Sequence, residues 1–327
     1  MDTGTHFVVG LGLAGLAQLD PAVASESSLG AAVLLGTVLG SQAPDADTLT
    51  RLKGNAFYIR QHRGWSHSIP AMLLWTAGIT GGLYAIFQPN NFWPLLYWVL
   101  LAVALHIFMD LFNTYGTQAW RPFSHKWVSW NIIHIFDPFI FLSHAAAVLL
   151  WTLKLIDPAV IFPLLYTVLI VYYIWRTFVH RQIGQQIRLM DHECNAGDRY
   201  LVIPTIHLYN WNIVKIQSSG GYRIGEWRSG KLQWIDRVNG ASHPVAERSK
   251  DHPDVAALLA FTSYACPEVH THRWGYEVRW IDVRYRHRKQ YPFVAVVLFD
   301  HNNNVLDSYV GWMNEAKVGK KLRLDSY

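Results

Sequence analysis

Apolar residues come in long, unbroken runs through the first 180 residues and in short, alternating ones after that. Four early runs, at roughly 69–87, 93–112, 138–156 and 159–179, approach the ~20 residues that an α-helix needs to cross a hydrocarbon core. Two shorter apolar stretches, 7–19 and 29–39, precede them and are rich in small residues. They predict a helical hairpin too short to span, embedded in part or packed against the bundle. From about residue 200 the pattern changes to β-branched and aromatic segments, at 200–203, 212–217, 231–235, 277–283, 293–299 and 305–310. Gly, Asn and Asp punctuate these segments, as turns require. Residues 254–265 read as a short helix between two strand groups. The pattern predicts an α-helical membrane bundle over 1–180, with about four long transmembrane helices after the hairpin. A small α+β, mainly antiparallel β, cytoplasmic domain follows over 181–327.

Charge sharpens this division. Residues 1–180 carry eight Lys/Arg and eight Asp/Glu, against twenty and fifteen in 181–327. The basic residues before the first long run (Arg51, Lys53, Arg60, Arg63), in the middle loop (Arg121, Lys126) and after the fourth run (Arg176, Arg181) fall at one end of the predicted spans. The alternate connections, 88–92 and 157–158, have none. By the positive-inside rule that end is cytoplasmic. Tryptophan and tyrosine cluster near the ends of the runs, as an interfacial belt does. Asp2 and His6 argue against a cleavable leader. The two cysteines, Cys194 and Cys266, match no metal or redox spacing and read as free thiols in a reducing compartment.

The candidate chemistry lies at the same end. His106 and Asp110 close the second long run four residues apart, so both can face one ion from one side of a helix. Ionisable groups in such a run are costly and usually functional. His6, the Pro44-Asp-Ala-Asp47 loop and the segment His62-Arg-Gly-Trp-Ser-His-Ser68 converge on that depth from three other places in the chain. Mixed imidazole and carboxylate donors suit a divalent metal, zinc before manganese or iron. The expected ligands are His6, Asp45, His67, His106 and Asp110. Asp47 or His62 would manage a proton, and Arg63 would steady an anion beside the helix that opens at Ile69-Pro70. Ser68, His134 and Asp137 would contact substrate or support the ligands. Each has a plainer reading: Asp45 and Asp47 as a turn and cap, Arg63 as a topology determinant.

These motifs together resemble the YdjM-type family of inner-membrane-associated proteins regarded as metal-dependent hydrolases. The Arg-Gly-x-Ser/Thr-His-Ser element is the most specific part, the likeness covers about residues 1–180, and the whole chain is similar to a Bacillus-type branch with a C-terminal extension. The His-x-x-x-Asp pair is also similar, more distantly, to one in zinc-dependent phospholipase C and the single-strand nucleases. That likeness implies phosphoester hydrolysis, although the tryptophan-led zinc set of those enzymes is not evident here.

The expected function is therefore a membrane-bound, metal-dependent hydrolase of the bacterial inner membrane, acting on a phosphoester, lipid-derived in one version, through metal-activated water. The rival is a non-catalytic regulator in which the metal staples loops to the bundle and the C-terminal domain recruits a cytosolic protein or nucleic acid. An ion pathway ranks last, because the long runs lack ionisable groups through their depth. Arg279, Arg284, Arg286, Arg288 and Lys289 suggest one cationic strand face for anionic lipid; no nucleic-acid motif accompanies it.

Overall fold

A computed structural model describes residues 1–286, 289–312, 318 and 320–322. The chain forms two compact units. One comprises 1–47, 63–183 and 204–208; the other comprises 48–62, 184–203 and 209–327.

The first unit is helical. Helix α1 (Thr3–Leu16) is capped by Asp2, whose carboxylate accepts from the Thr5 amide, and the short α2 (Pro21–Ser25) leads into α3 (Ser27–Gln42). Small residues let these helices approach closely, as they do where helices pack in lipid. A Cβ on Gly10 would stand 2.9 Å from Val38 Cα and 3.0 Å from the Thr37 carbonyl; one on Gly40 would stand 3.2 Å from the Val99 carbonyl. Leu13, Leu29, Val33, Leu95, Val99 and Val103 fill the core around them.

A 3-10 segment, Ala43–Lys53, carries the chain to α4 (Asn55–Gln61). Ser68 and Pro70 then open α5 (Ile69–Phe87), and Asn91 caps α6 (Phe92–Leu111). The last pair is α7 (Pro138–Thr152), capped by Asp137, and α8 (Pro158–Met190).

Among the described residues, α5, α6 and α8 are long and apolar enough to cross a membrane. The third expected span is shorter than its sequence suggests. Helix α7 has 15 residues, about 22 Å of rise against a core of about 30 Å. Its apolar run continues to Ile156, but Lys154 takes a left-handed φ of 55° and Asp157 caps the next helix through the Ala159 amide, so 153–157 form a turn. Hydropathy cannot see this turn because Leu153, Leu155 and Ile156 occupy it.

The second unit holds two four-stranded sheets. The first runs β1 (Arg199–Pro204), β2 (Trp211–Ile216), β3 (Tyr222–Arg228), β4 (Lys231–Val238) in order, with β2–β3 and β3–β4 antiparallel. Two short helices, α9 (Pro244–Ser249) and α10 (Pro253–Phe261), precede the second sheet. That sheet runs β5 (Ala265–His272), β6 (Gly275–Asp282), β7 (Phe293–Asp300), β8 (Val305–Trp312), antiparallel throughout.

Two strands lie outside the expected set. β3 alternates with charge and contains Gly225, against which the Trp234 ring packs. β5 carries Pro267 and sits at the sheet edge, where a missing N–H is tolerated. Ser229 and Gly230, both at positive φ, make the tight turn between β3 and β4. The segment 48–62, expected among the membrane loops, belongs to this unit, where Asn55 Nδ2 donates to the Val310 carbonyl.

The expected cationic strand face is interrupted. β6 ends at Asp282, and Arg284 turns inward, 6% exposed, to pair with Asp282 at 2.7 Å. Arg279 pairs with Glu277 and Arg286 with Asp236. Lys289 follows in a turn with a φ of 68°, and Arg288 lies outside the described residues.

Replacing Gly10 by Val inserts a side chain against α3 backbone that has no freedom to yield. We expect a loss of about 1–3 kcal/mol, seen as a lower thermal midpoint of the detergent-solubilised protein. Gly78→Val, at a position with open space around it, should leave the midpoint unchanged.

Candidate metal centre

Four acceptor atoms converge where the 3-10 segment after α3, the turn before α5 and the last turns of α6 meet. His67 Nε2 and His106 Nε2 are 3.2 Å apart. Asp45 Oδ1 lies 3.5 Å from the first and 3.7 Å from the second; Asp110 Oδ2 lies 3.3 and 3.7 Å away. His67, His106 and Asp110 are fully buried, and Asp45 keeps 13% of its side chain exposed.

The hydrogen bonds behind the two imidazoles fix which nitrogens carry protons. His106 Nδ1 donates to the Ser41 carbonyl at 2.7 Å, so its Nε2 presents a lone pair to the centre. Ser66 Oγ gives its proton to Asp47 Oδ2 at 2.6 Å and accepts from His67 Nδ1 at 2.9 Å, so His67 Nε2 is also a lone pair. These tautomers follow from the hydrogen-bond network, since each ring nitrogen takes the role its partner demands. Two nitrogen lone pairs and two carboxylate oxygens therefore face one another with no proton between them. Such a set is repulsive in itself; Arg63 and the Met1 amino group offset the charge of Asp110, and a cation held between the four atoms would offset the rest.

The spacing fits one. Ligands 2.0–2.2 Å from a tetrahedral ion stand about 3.3–3.6 Å from each other, and the five separations above run from 3.2 to 3.7 Å. All four ligand atoms lie within 4.8 Å of one another. The donor set, two imidazoles and two carboxylates, suits a divalent ion of the zinc or manganese kind.

Burial holds the His67 imidazole below its usual pKa and so in the neutral form that ligation needs. At Asp45 burial opposes ionisation, and the charge of Arg63 is among the influences that hold the carboxyl below the usual carboxylate range.

The structure gathers some of the expected site residues and sets others apart. Asp45, His67, His106 and Asp110 form the convergent set. His6 lies beside it, its ring stacked on His106 with centroids 3.7 Å apart and its Nε2 3.4 Å from Asp110 Oδ1, the oxygen that faces away from His67. Asp47 stands beside the set, its Oδ2 3.9 Å from His67 Nδ1 with Ser66 Oγ bonded to both, and it also accepts from the Arg63 amide at 2.9 Å.

Arg63 is 3% exposed and lies 3.2 Å from Asp110 Oδ2. It also donates to Asn113 Oδ1 and the Met1 carbonyl, at a φ of 60° that non-glycine residues rarely hold. These contacts make it a buried clamp on Asp110. Ser68 caps α5 through the Ala71 amide.

Three other expected residues are not members of the four-residue set. His62 closes α4 in the second unit, its ring stacked on Tyr58. His134 hydrogen-bonds the Phe136 carbonyl, and burial lowers its pKa. Asp137 caps α7 and accepts from the Tyr172 hydroxyl at 2.7 Å.

Three contributors were not among the expected site residues: the Ser41 carbonyl, Ser66 and Asn113, whose amide donates to Asp110 Oδ1 at 3.0 Å. The Met1 amino group also contacts Asp110 Oδ1. Asn113 stands three residues after Asp110, a helical spacing that offered a signal; the Ser41 carbonyl offered none, because a backbone group has no sequence signature.

Comparison with known proteins agrees with this architecture. Residues 1–183 match the family described as YdjM inner membrane protein, and residues 244–322 match the YfhP C-terminal alpha/beta plait domain. A relative from Bacillus subtilis (strain 168), described as uncharacterized protein YfhP, is 42% identical over 330 residues and is covered, like this chain, along its whole length. No solved structure matches. With more than half of its length matched and a full-length relative at that identity, the chain belongs to the YdjM inner membrane protein family.

Proposed function

We propose that this protein is a membrane-bound, metal-dependent hydrolase acting on a phosphoester, with lipid-derived esters as the first class to test. The observation that carries the reading is the convergence, at 3.2–3.7 Å, of two carboxylate oxygens with two imidazole nitrogens whose ring protons are directed elsewhere. Asp45, His67, His106 and Asp110 would hold the ion. A divalent ion in such a set lowers the pKa of a bound water towards neutrality and offers a charge to a phosphoryl oxygen.

The chain's own groups have separate tasks. The Ser41 carbonyl and the Ser66–Asp47 pair hold the two imidazoles with Nε2 inward. Asn113 holds Asp110 through Oδ1, and Arg63 lies against Oδ2, the oxygen in the set. Asp45 is the one ligand with solvent exposure, so water and substrate would approach over it, and Asp47 is the nearest further carboxylate to take a proton. The excess of Lys and Arg at this end of the apolar helices supports a cytoplasmic orientation for the site and for the C-terminal unit. A site at headgroup level would meet phosphoesters of the inner leaflet.

The purified wild type should carry a transition metal, zinc before manganese or iron, measured by elemental analysis. His106→Ala and Asp110→Ala should each lose most of it. Full occupancy in both variants would overturn the site. Hydrolysis of a phosphodiester and phospholipid panel should require the metal and fall at least about 10²-fold in His106→Ala. A metal-loaded protein inert across the panel would instead support the non-catalytic regulator.

Ser66→Ala removes the hydroxyl that orients His67 but no ligand. It should weaken metal affinity about 10–100-fold, read by competition with a chelator, without changing the thermal midpoint of the metal-free protein. Unchanged affinity would show that Ser66 does not position His67.

A further inference from the structure

A second cavity lies in the helical unit, on a different face of α6 from His106 and Asp110. It is a cleft of about 590 Å³ between α6 and α8, floored by Val9 and Ile140, within the range of about 300–1,000 Å³ usual for small-molecule sites. Its rim is formed by Phe108, Ile174 and Phe178, which are 48%, 65% and 63% exposed. Both flanking helices are long and apolar enough to span a membrane, so the open side of the cleft faces hydrocarbon. Arg181 closes one end with an exposed side chain.

We propose that this cleft binds one anionic glycerophospholipid, with an acyl chain along the apolar wall and the phosphate at Arg181. The assignment stands apart from the metal centre and does not depend on its function.

Dimensions favour this occupant. From Tyr166 at the inner end to Arg181 is fifteen residues of α8, about 22 Å at 1.5 Å per residue. One leaflet contributes about half of a 30 Å hydrocarbon core. The cleft is therefore long enough for one leaflet's chain, with several ångströms left for a headgroup near the guanidinium. Charge complementarity favours it as well. A lone arginine at the end of an apolar groove matches a lipid phosphate, and the guanidinium can grip two phosphate oxygens at once.

The floor carries two polar atoms, His144 Nε2 and Tyr166 Oη. His144 Nδ1 donates to the Ile140 carbonyl at 2.7 Å, which leaves Nε2 as an acceptor. The Tyr166 hydroxyl is a donor in the same place, its ring edge-on to His144 with centroids 5.8 Å apart. Gly12 opens this spot: a Cβ there would come 2.8 Å from His144 Cδ2 and 3.0 Å from Tyr166 Oη. Both Nε2 and Oη are buried without a hydrogen-bond partner.

The test uses the full chain in phosphatidylcholine vesicles doped with phosphatidylglycerol whose acyl chain carries a photoactivatable group, against the same group on phosphatidylcholine. Adducts should concentrate on Phe108 and Ile174 over Leu73 and Ile86 of α5 by about tenfold, although those two are also exposed. Phosphatidylglycerol should be preferred, and Arg181→Gln should reduce that preference about fivefold while chain adducts persist. Ile174→Trp, at a rim position that is 65% exposed, should suppress the adducts with metal content unchanged. Even labelling of α5 and the cleft, or a headgroup preference unaffected by Arg181→Gln, overturns the proposal. So do protein–protein adducts at Ile174 in place of lipid ones, because they show a second copy of the chain in the cleft.

Discussion

Two imidazole nitrogens facing each other at 3.2 Å, with no proton between them, set the terms for the rest of the helical unit. Alone they repel, and the carboxylates of Asp45 and Asp110 add negative charge to the same small volume. A cation held between them would turn every one of these repulsions into an attraction. Its pull in a buried, weakly screened setting exceeds anything a surface ion pair supplies. Much of the surrounding structure keeps those lone pairs aimed. The end of α3 offers the Ser41 carbonyl to His106, Ser66 stands between His67 and Asp47, and Arg63 with Asn113 braces Asp110.

That arrangement requires close helix packing. Gly40 lets α3 approach α6 and Gly10 lets α1 approach α3. Larger residues there would push the Ser41 carbonyl away from His106, and Ser41 itself lies within 2.4 Å of where a Gly10 Cβ would be. The glycines thus serve both the packing of the apolar helices and the orientation of a ligand. Arg63 at φ 60° carries backbone strain in the same place, and strain of this kind tends to persist where surrounding contacts determine a functional geometry.

The polar centre and the apolar cleft occupy different faces of α6, a consequence of its 3.6-residue period. His106 and Asp110 share one face, while Leu105, Phe108 and Phe112 line another. One helix can therefore support a buried charged site and a surface turned to hydrocarbon without either disturbing the other.

Much of this was legible along the chain. The His106–Asp110 spacing, the density of histidine and aspartate in 44–68 and the apolar runs for α5, α6 and α8 follow from local periodicity and the cost of charge in lipid, which act wherever the residues sit. The strands with alternating apolar residues were legible for the same reason. The α7 turn, β3 with its Gly225 and the proline-bearing edge strand β5 were not, because their local signals are weak or point elsewhere. Tertiary structure alone decided how the candidate ligands divide: Asp45 into the set, Asp47 behind Ser66, His6 stacked to one side, His62 in the other unit. It also turned Arg63 from an expected anion binder into a buried clamp. Sequence fixes which residue types are present and their local spacing, whereas orientation within a site depends on hydrogen bonds between segments as far apart as Ser41 and His106. Those bonds exist only once the helices have packed.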